Sequence, residues 1–360
     1  MTTHGNQLLL VLSALAILTA ASLACGNATV SPLPSSIASL TDTPSSPAPT
    51  PLPERYGIFV MQLDGSDLRR IYGTDLRPAG VRPSADGTQL LFQFYYRDVD
   101  GDGQFGDADM SAIEIGMLNS DGTYFRRLTD NDAIDALPLW SPDGTEILFT
   151  SNQGDGNMLD LFLMDADGSP ARQLTQTPDV HEGDPDWVGD IIVYSHSAVD
   201  ERVQSVWAMS PDGSNARQVT FPPDRGESDL VFKFGDFDPR LSPDGQQVAF
   251  ERLVDDEFFF VDRMIGRWDI FVANMDGSGE RNLTNQVEAA GFPKWSPDGQ
   301  TILFLSHRVE DDKPFIALYT IGADGSNRQR VNIPLRNIAL LGGEWMPDGE
   351  HIVFVTEIYR

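Results

Sequence analysis

The sequence predicts an all-β fold, a six-bladed β-propeller whose ring is closed by pairing of its N- and C-terminal hairpins. Three observations carry that expectation: a turn sequence that recurs down the chain, a second turn that alternates with it, and the order in which the two begin and end the array.

The first turn is Ser141-Pro142-Asp143-Gly144, repeated as Ser242-Pro243-Asp244-Gly245 and Ser296-Pro297-Asp298-Gly299. Looser copies are Ser84-Ala85-Asp86-Gly87 and Met346-Pro347-Asp348-Gly349. Trp140, Trp295 and Trp345 precede three of them, Leu241 a fourth, and apolar runs such as Ile147-Leu148-Phe149 and Ile302-Leu303-Phe304 follow. Proline presets φ at the second turn position and glycine supplies the left-handed residue, so each copy reads as a tight hairpin.

The second turn follows strands such as Asp160-Leu161-Phe162-Leu163-Met164-Asp165 and lies at Asp167-Gly168. Its copies are Asp64-Gly65, Asp121-Gly122, Asp212-Gly213, Asp276-Gly277 and Asp324-Gly325, six in all. The first kind also reaches six if Trp187-Val188-Gly189-Asp190, followed by Ile191-Ile192-Val193, is a shortened copy. Two hairpins make one four-stranded unit. The array opens with a second-type hairpin, Ile58 to Tyr72, and ends with a first-type one, Glu344 to Thr356. In a ring these halves complete one unit and cover each other's edges, which an open array would leave bare.

The Trp-Ser-Pro-Asp-Gly hairpin, the Ile-Leu-Phe run and the Asp-Leu-Phe-Leu-Met-Asp strand resemble the TolB-type, WD-like propeller repeat across residues 54–360. The resemblance implies a propeller fold and a non-enzymatic binding role. TolB carries an α/β domain ahead of its propeller, which nothing in this sequence could encode, so membership in a Tol-Pal system is not implied.

The 360 residues hold 54 acidic and 25 basic side chains, a formal charge of −29. Such a surface disfavours nucleic acid and bare anionic membrane, and suits a basic protein or divalent cations. Aspartate spent on turns is the plainer source of the imbalance.

Residues 1–24 read as a signal peptide of lipoprotein type, with an apolar run from Leu8 to Ala24 too short for a comfortable membrane span. It ends Ser22-Leu23-Ala24-Cys25-Gly26, similar to a bacterial lipobox, and Cys25, the sole cysteine, is the expected lipidation site. Residues 25–53, rich in Pro, Ser and Thr, read as a semi-rigid tether. The expected location is therefore extracytoplasmic, anchored to a membrane in the cell envelope or periplasm.

Asp98 to Asp109 follows the spacing of an EF-hand calcium loop. Asp98, Asp100 and Asp102 stand at positions one, three and five, Gly103 at six, Gln104 at seven (through its carbonyl) and Asp109 at twelve. Calcium takes six to eight oxygens, and alternating aspartates around a glycine turn fold carboxylates onto one ion. Gly101-x-Gly103-x-x-Gly106 in the same stretch matches a dinucleotide fingerprint only formally, since Asp100, Asp102 and Asp107 would repel a pyrophosphate.

No catalytic constellation assembles from the sequence. His196 and His307 each follow a serine near the end of a first-type hairpin, and equivalent placement in two blades would let them imitate the histidine-bound metal of oligogalacturonate lyases. Trp140, Trp187, Trp295 and Trp345 read as packing residues between blades. Pro138, Pro185, Pro239 and Pro293, two residues ahead, read as strand-start prolines. Phe258-Phe259-Phe260, flanked by Asp255, Asp256, Glu257 and Asp262, is a candidate aromatic patch for a basic partner.

The reading that follows is a monomeric, non-catalytic propeller that binds a protein or other envelope macromolecule, with structural Ca2+. A metal-dependent polysaccharide lyase is the alternative.

Overall fold

The computed structural model describes residues 54–99, 101, 107–154, 158–226, 233–255, 259–260, 263–264, 266–285, 289–310 and 313–359. Among them the regular structure is β-strand, with a single 3-10 turn at Asp107–Ala112. No described helix is long and apolar enough to cross a membrane.

The strands form consecutive antiparallel four-stranded units. The first runs Arg77–Pro83, Gln89–Tyr95, Ile113–Asn119, Arg126–Arg127, and the second Asp135–Trp140, Glu146–Ser151, Asp160–Asp165, Arg172–Gln173. The third is Val180–Val188, Ile191–Ala198, Val203–Met209, Arg217–Gln218, and the fourth Phe234–Leu241, Gln247–Asp255, Arg267–Asn274, Arg281–Asn282. The fifth is Ala289–Trp295, Thr301–Glu310, Lys313–Gly322, Gln329–Arg330. The last sheet takes strands from both ends of the described chain. Ile338–Trp345 and His351–Ile358 pair on through Tyr56–Gln62 to Arg69–Thr74, with Ile58 opposite Val355 and Val60 opposite Val353.

Turn chemistry explains the hairpins. Asp143 Oδ1 accepts from Ser141 Oγ at 2.7 Å and from the Thr145 N–H at 3.0 Å, while Gly144 turns at φ 73°. The same aspartate bonding recurs at Asp86, Asp244 and Asp298, and in the second turn at Asp64, Asp121, Asp167, Asp212, Asp276 and Asp324. These hydrogen bonds hold each carboxyl below its ordinary range. These ten turn aspartates are a minority of the 54 acidic residues, and several of the others are buried, among them Glu114, Asp135, Asp184 and Glu251.

In the first five units the fourth strand is only two residues long, so the third strand has N–H groups without a ladder partner. A recurring threonine fills the gap. Thr129, Thr175, Thr220 and Thr284 accept from the N–H of Ile115, Leu161, Val206 and Ile270 at 2.9–3.0 Å.

Each first strand carries a register shift in its pairing with the second, a β-bulge. At the bulge Leu137, Asp184, Asp238 and Phe292 take φ of 54°, 49°, 48° and 60°, and glycine stands there in the first unit as Gly80. Positive φ costs a non-glycine residue on the order of 1–3 kcal/mol, so the surrounding packing must enforce it. Pro138, Pro185, Pro239 and Pro293 directly follow those residues, inside the strand. This corrects the strand-start expectation: the prolines sit where the ladder is already broken and no N–H is needed.

Apolar faces pack between units. Trp140, Trp295 and Trp345 are buried, and two of them tie neighbours together: Trp295 Nε1 donates to the Arg240 carbonyl at 3.0 Å, and Trp345 Nε1 to the Lys294 carbonyl at 3.2 Å. The third and fourth units meet through a two-residue parallel bridge, Val203–Gln204 against Phe234–Gly235. Any Cβ at Gly235 would lie 2.1 Å from the Gln204 carbonyl oxygen, so only glycine permits that approach.

Candidate functional site

The bulges aim one set of residues at a common place. Gly80, Val81, Arg82, Leu137, Pro138, Pro185, Asp238, Arg240, Phe292, Lys294, Leu341, Gly342 and Gly343, with Gln93 from a second strand, line one cavity of about 50 Å³. Every first strand contributes. At roughly 10–15 Å³ per water-sized group, the space admits a few such groups and not a sugar chain.

Charge is concentrated there. Arg82 pairs with Glu344 at 2.7 Å and approaches Asp186 at 3.9 Å. Asp186 also accepts the Leu241 N–H at 2.8 Å. Arg240 is 5% exposed, donates to the Pro239 carbonyl at 2.6 Å, lies 3.6 Å from Asp238, and leaves its Nε without a hydrogen-bond partner. Asp184 is fully buried with both oxygens unpartnered. Glu251 is also fully buried, and its Oε2 accepts the Phe292 bulge N–H at 2.9 Å, as Gln93 Oε1 accepts that of Leu137 at 2.7 Å.

Burial, then the neighbouring Asp238, pushes the Asp184 and Glu251 carboxyls well up, favouring their neutral forms. Burial and then the repulsion of Arg240 and Arg82 push the Lys294 ammonium well down. Arg82 is lowered by burial and by Arg240.

Among the cavity-lining residues only Pro138 and Pro185 stand out in the sequence, and none of the charged ones does. The signal was present: Asp184-Pro185-Asp186, Asp238-Pro239-Arg240 and Phe292-Pro293-Lys294 flank the recurrent proline, and charges at such buried positions mark a built polar site.

The calcium-loop residues fall partly outside the described residues, which exclude Asp100, Asp102 and Gln104. Asp98 and Asp109, positions one and twelve, belong to one turn: Asp109, 1% exposed, accepts the Val99 N–H at 2.6 Å, and Asp98 accepts the Gly101 N–H at 2.6 Å. The Asp109 carboxylate thus reaches back to the start of the loop at Val99. Among the described residues no group of three or more His, Cys, Asp or Glu is placed to hold a metal ion.

His196 and His307 are not equivalent. Trp187 faces Ile192 and Trp295 faces Ile302, which puts His196 four residues past its marker and His307 five past. One residue reverses the face of a strand, so the two rings point to opposite faces of their sheets. His196 stacks on Trp207 with ring centroids 4.4 Å apart. His307 is 4% exposed, and burial pushes it down to about 4. Phe259–Phe260 pair with Arg263–Met264 as a short hairpin, while Phe258 and Cys25 lie outside the described residues.

No family model matches the chain. Among curated proteins, a Tol-Pal system protein TolB of Rhizorhabdus wittichii is 36% identical over 70 residues, 19% of this chain and 15% of that protein. Dipeptidyl-peptidase 5 of Porphyromonas endodontalis is 28% identical over 118 residues, 33% of this chain and 16% of that protein. The chain thus matches under a fifth of the length of either relative. Of solved structures, one described as TolB from Agrobacterium tumefaciens aligns at TM-score 0.61 and 18% identity, over 85% of this chain and 99% of that one. An oligogalacturonate lyase in complex with manganese aligns at TM-score 0.50 and 16% identity, over 74% and 71%. The fold is all-β, and the chain is a TolB-like β-propeller protein.

Proposed function

We propose that this is a closed six-bladed propeller acting outside the cytoplasm as a non-catalytic protein-binding module. The observation that carries the reading is the axial cavity. It is lined by the first strand of every unit, including the sheet that joins the two chain ends, and its roughly 50 Å³ admits only a few water-sized groups. Contact between neighbouring first strands, returning from Ile338–Trp345 to Arg77–Pro83, supports the closed ring. A rigid ring offers its loops and axial face for recognition, and the formal charge of −29 suits a basic envelope protein.

In the same proposal residues 1–24 are a lipoprotein signal peptide, Cys25 carries the lipid, and residues 25–53 tether the propeller of residues 54–360. Asp98, Asp100, Asp102, Gln104 and Asp109 hold a structural Ca2+, and Phe258 to Phe260 form part of the partner surface. Calcium would neutralise the converging carboxylates and order the loop between the second and third strands of the first unit.

Crosslinking in intact cells tests the binding reading. A discrete adduct that persists when the axial face is left intact, and is lost when Phe258, Phe259 and Phe260 are replaced by serine, is the expected outcome. No adduct, together with divalent-dependent cleavage of oligogalacturonate, would contradict it and favour the lyase. The likeness to the manganese-bound lyase is the observation behind that second reading.

A further inference from the structure

We propose that the axial cavity is a binding site for a single carboxylate group, held by Lys294 and Arg240 with Gln93 beside them. The inference goes beyond the binding reading above and does not depend on it.

Counting the partners of each charge leads there. Of the acids nearest the cavity, Glu344 pairs with Arg82, Asp186 takes the Leu241 N–H and the edge of Arg82, and Glu251 takes the Phe292 N–H through one oxygen, while Asp184 has both oxygens unpartnered and burial favours its neutral form. Asp238 stands 3.6 Å from Arg240, too far for a direct hydrogen bond. The cations are not equally matched. Arg240, nineteen-twentieths buried, has an Nε donor with no acceptor, and guanidinium is strongly suited to planar anions. Lys294 lines the same cavity and makes no hydrogen bond or ion pair from its ammonium to any described residue.

Arg82, Arg240 and Lys294 are buried close enough to repel one another, a cost that adds to that of their burial. An anion between Arg240 and Lys294 would satisfy the orphaned donor and relieve that repulsion in one step. The cavity of about 50 Å³ fixes the size, a few heavy atoms, which is a carboxylate with its first carbon. Its apolar lining of Val81, Leu137, Phe292 and Leu341 suits a short alkyl stem better than a fully hydrated inorganic anion. The carboxylate could come from a free small acid or from a chain terminus or side chain of a partner protein.

Calorimetry on the intact protein tests this, with acetate as probe at fixed ionic strength and acetamide as the neutral isostere. Saturable one-site binding of acetate, at least about tenfold tighter than acetamide, is expected in the millimolar range. Lys294→Gln should weaken acetate binding about tenfold or more, while Lys294→Arg retains it. Should the Lys294 variants fail to fold, carbon-13 line broadening of labelled acetate on the unaltered protein, relieved by excess unlabelled acetate, gives the same answer. A short peptide with a free C-terminal carboxylate that binds more tightly than acetate, and loses binding as its amide, assigns the source to a partner protein. Equal affinity of peptide and acetate assigns it to a free small acid. Absence of saturable acetate binding up to about 100 mM, or binding unchanged in Lys294→Gln, overturns the proposal.

Discussion

Arg82 and Glu344 lie 262 positions apart in sequence and meet at 2.7 Å, joining the first strands of the first and last units. The pair does between two sheets what Tyr56–Gln62 and His351–Ile358 do within one: it links strands from the two ends of the described chain. The strand pairing covers edges that would otherwise template aggregation.

The indole staples between units give a stability prediction. Trp345 is 5% exposed and donates to the Lys294 carbonyl across the unit boundary. Trp345→Phe keeps most of the packing and should cost about 1–2 kcal/mol, the value of the lost hydrogen bond and some volume. Trp345→Ala should cost about 3–5 kcal/mol. Chemical denaturation of both variants checks it; equal losses would show that the hydrogen bond, not the packed ring, dominates.

Two buried groups set opposed pH dependences. Burial pushes Glu182 up from 4.5 to about 7, and pushes His307 down from 6.5 to about 4. For Glu182 the folded state holds the proton more tightly, so its stabilising contribution is complete below 4.5 and is lost as pH rises through 7. For His307 the folded state resists protonation, so its contribution is complete above 6.5 and is lost as pH falls through 4. Glu182→Gln should therefore gain on the parent as pH rises from 4.5 to 7, by about 3 kcal/mol at most. Unfolding curves at pH 5 and pH 8 measure the gain, and a constant difference between parent and variant would refute it.

Much of the fold was legible because turns are local chemistry. Ser141, Asp143 and Gly144 specify their hairpin within four residues, and the paired strands follow from apolar runs on either side. The long-range pairing of Ile58 with Val355 was legible only through the order of the two hairpin types. The axial site was not. Whether Asp238 or Lys294 lines a cavity is decided by a bulge at positive φ, and a bulge shifts the facing of every later residue in its strand. The same single-residue offset separates His196 from His307, whose shared Ser-His sequence implied a likeness that the pairing removes.

Calcium binding has a thermodynamic signature. A site of about 0.1 mM affinity at millimolar calcium adds roughly 1.4 kcal/mol, a rise of a degree or a few in Tm for a domain of this size. Asp98→Ala combined with Asp102→Ala should abolish that rise and leave the calcium-free Tm nearly unchanged. Calorimetry that detects no calcium binding to the parent at millimolar concentration would reduce the loop to a solvated turn.

Lipidation at Cys25 is tested by processing. Cys25→Ser should block cleavage at the lipobox-like Ser22-Leu23-Ala24 and move the protein out of the detergent phase. Unchanged partitioning would remove the anchor from the account.

The cavity, its cations and the binding reading all depend on a closed ring, and hydrogen exchange measures closure directly. Peptides covering Tyr56–Gln62 and His351–Ile358 should exchange as slowly as those covering the interior strand Glu146–Ser151, because all three are interior strands of their sheets. They should also lose protection together in rising denaturant. Rapid exchange of Tyr56–Gln62 while Glu146–Ser151 stays protected would contradict the closed ring.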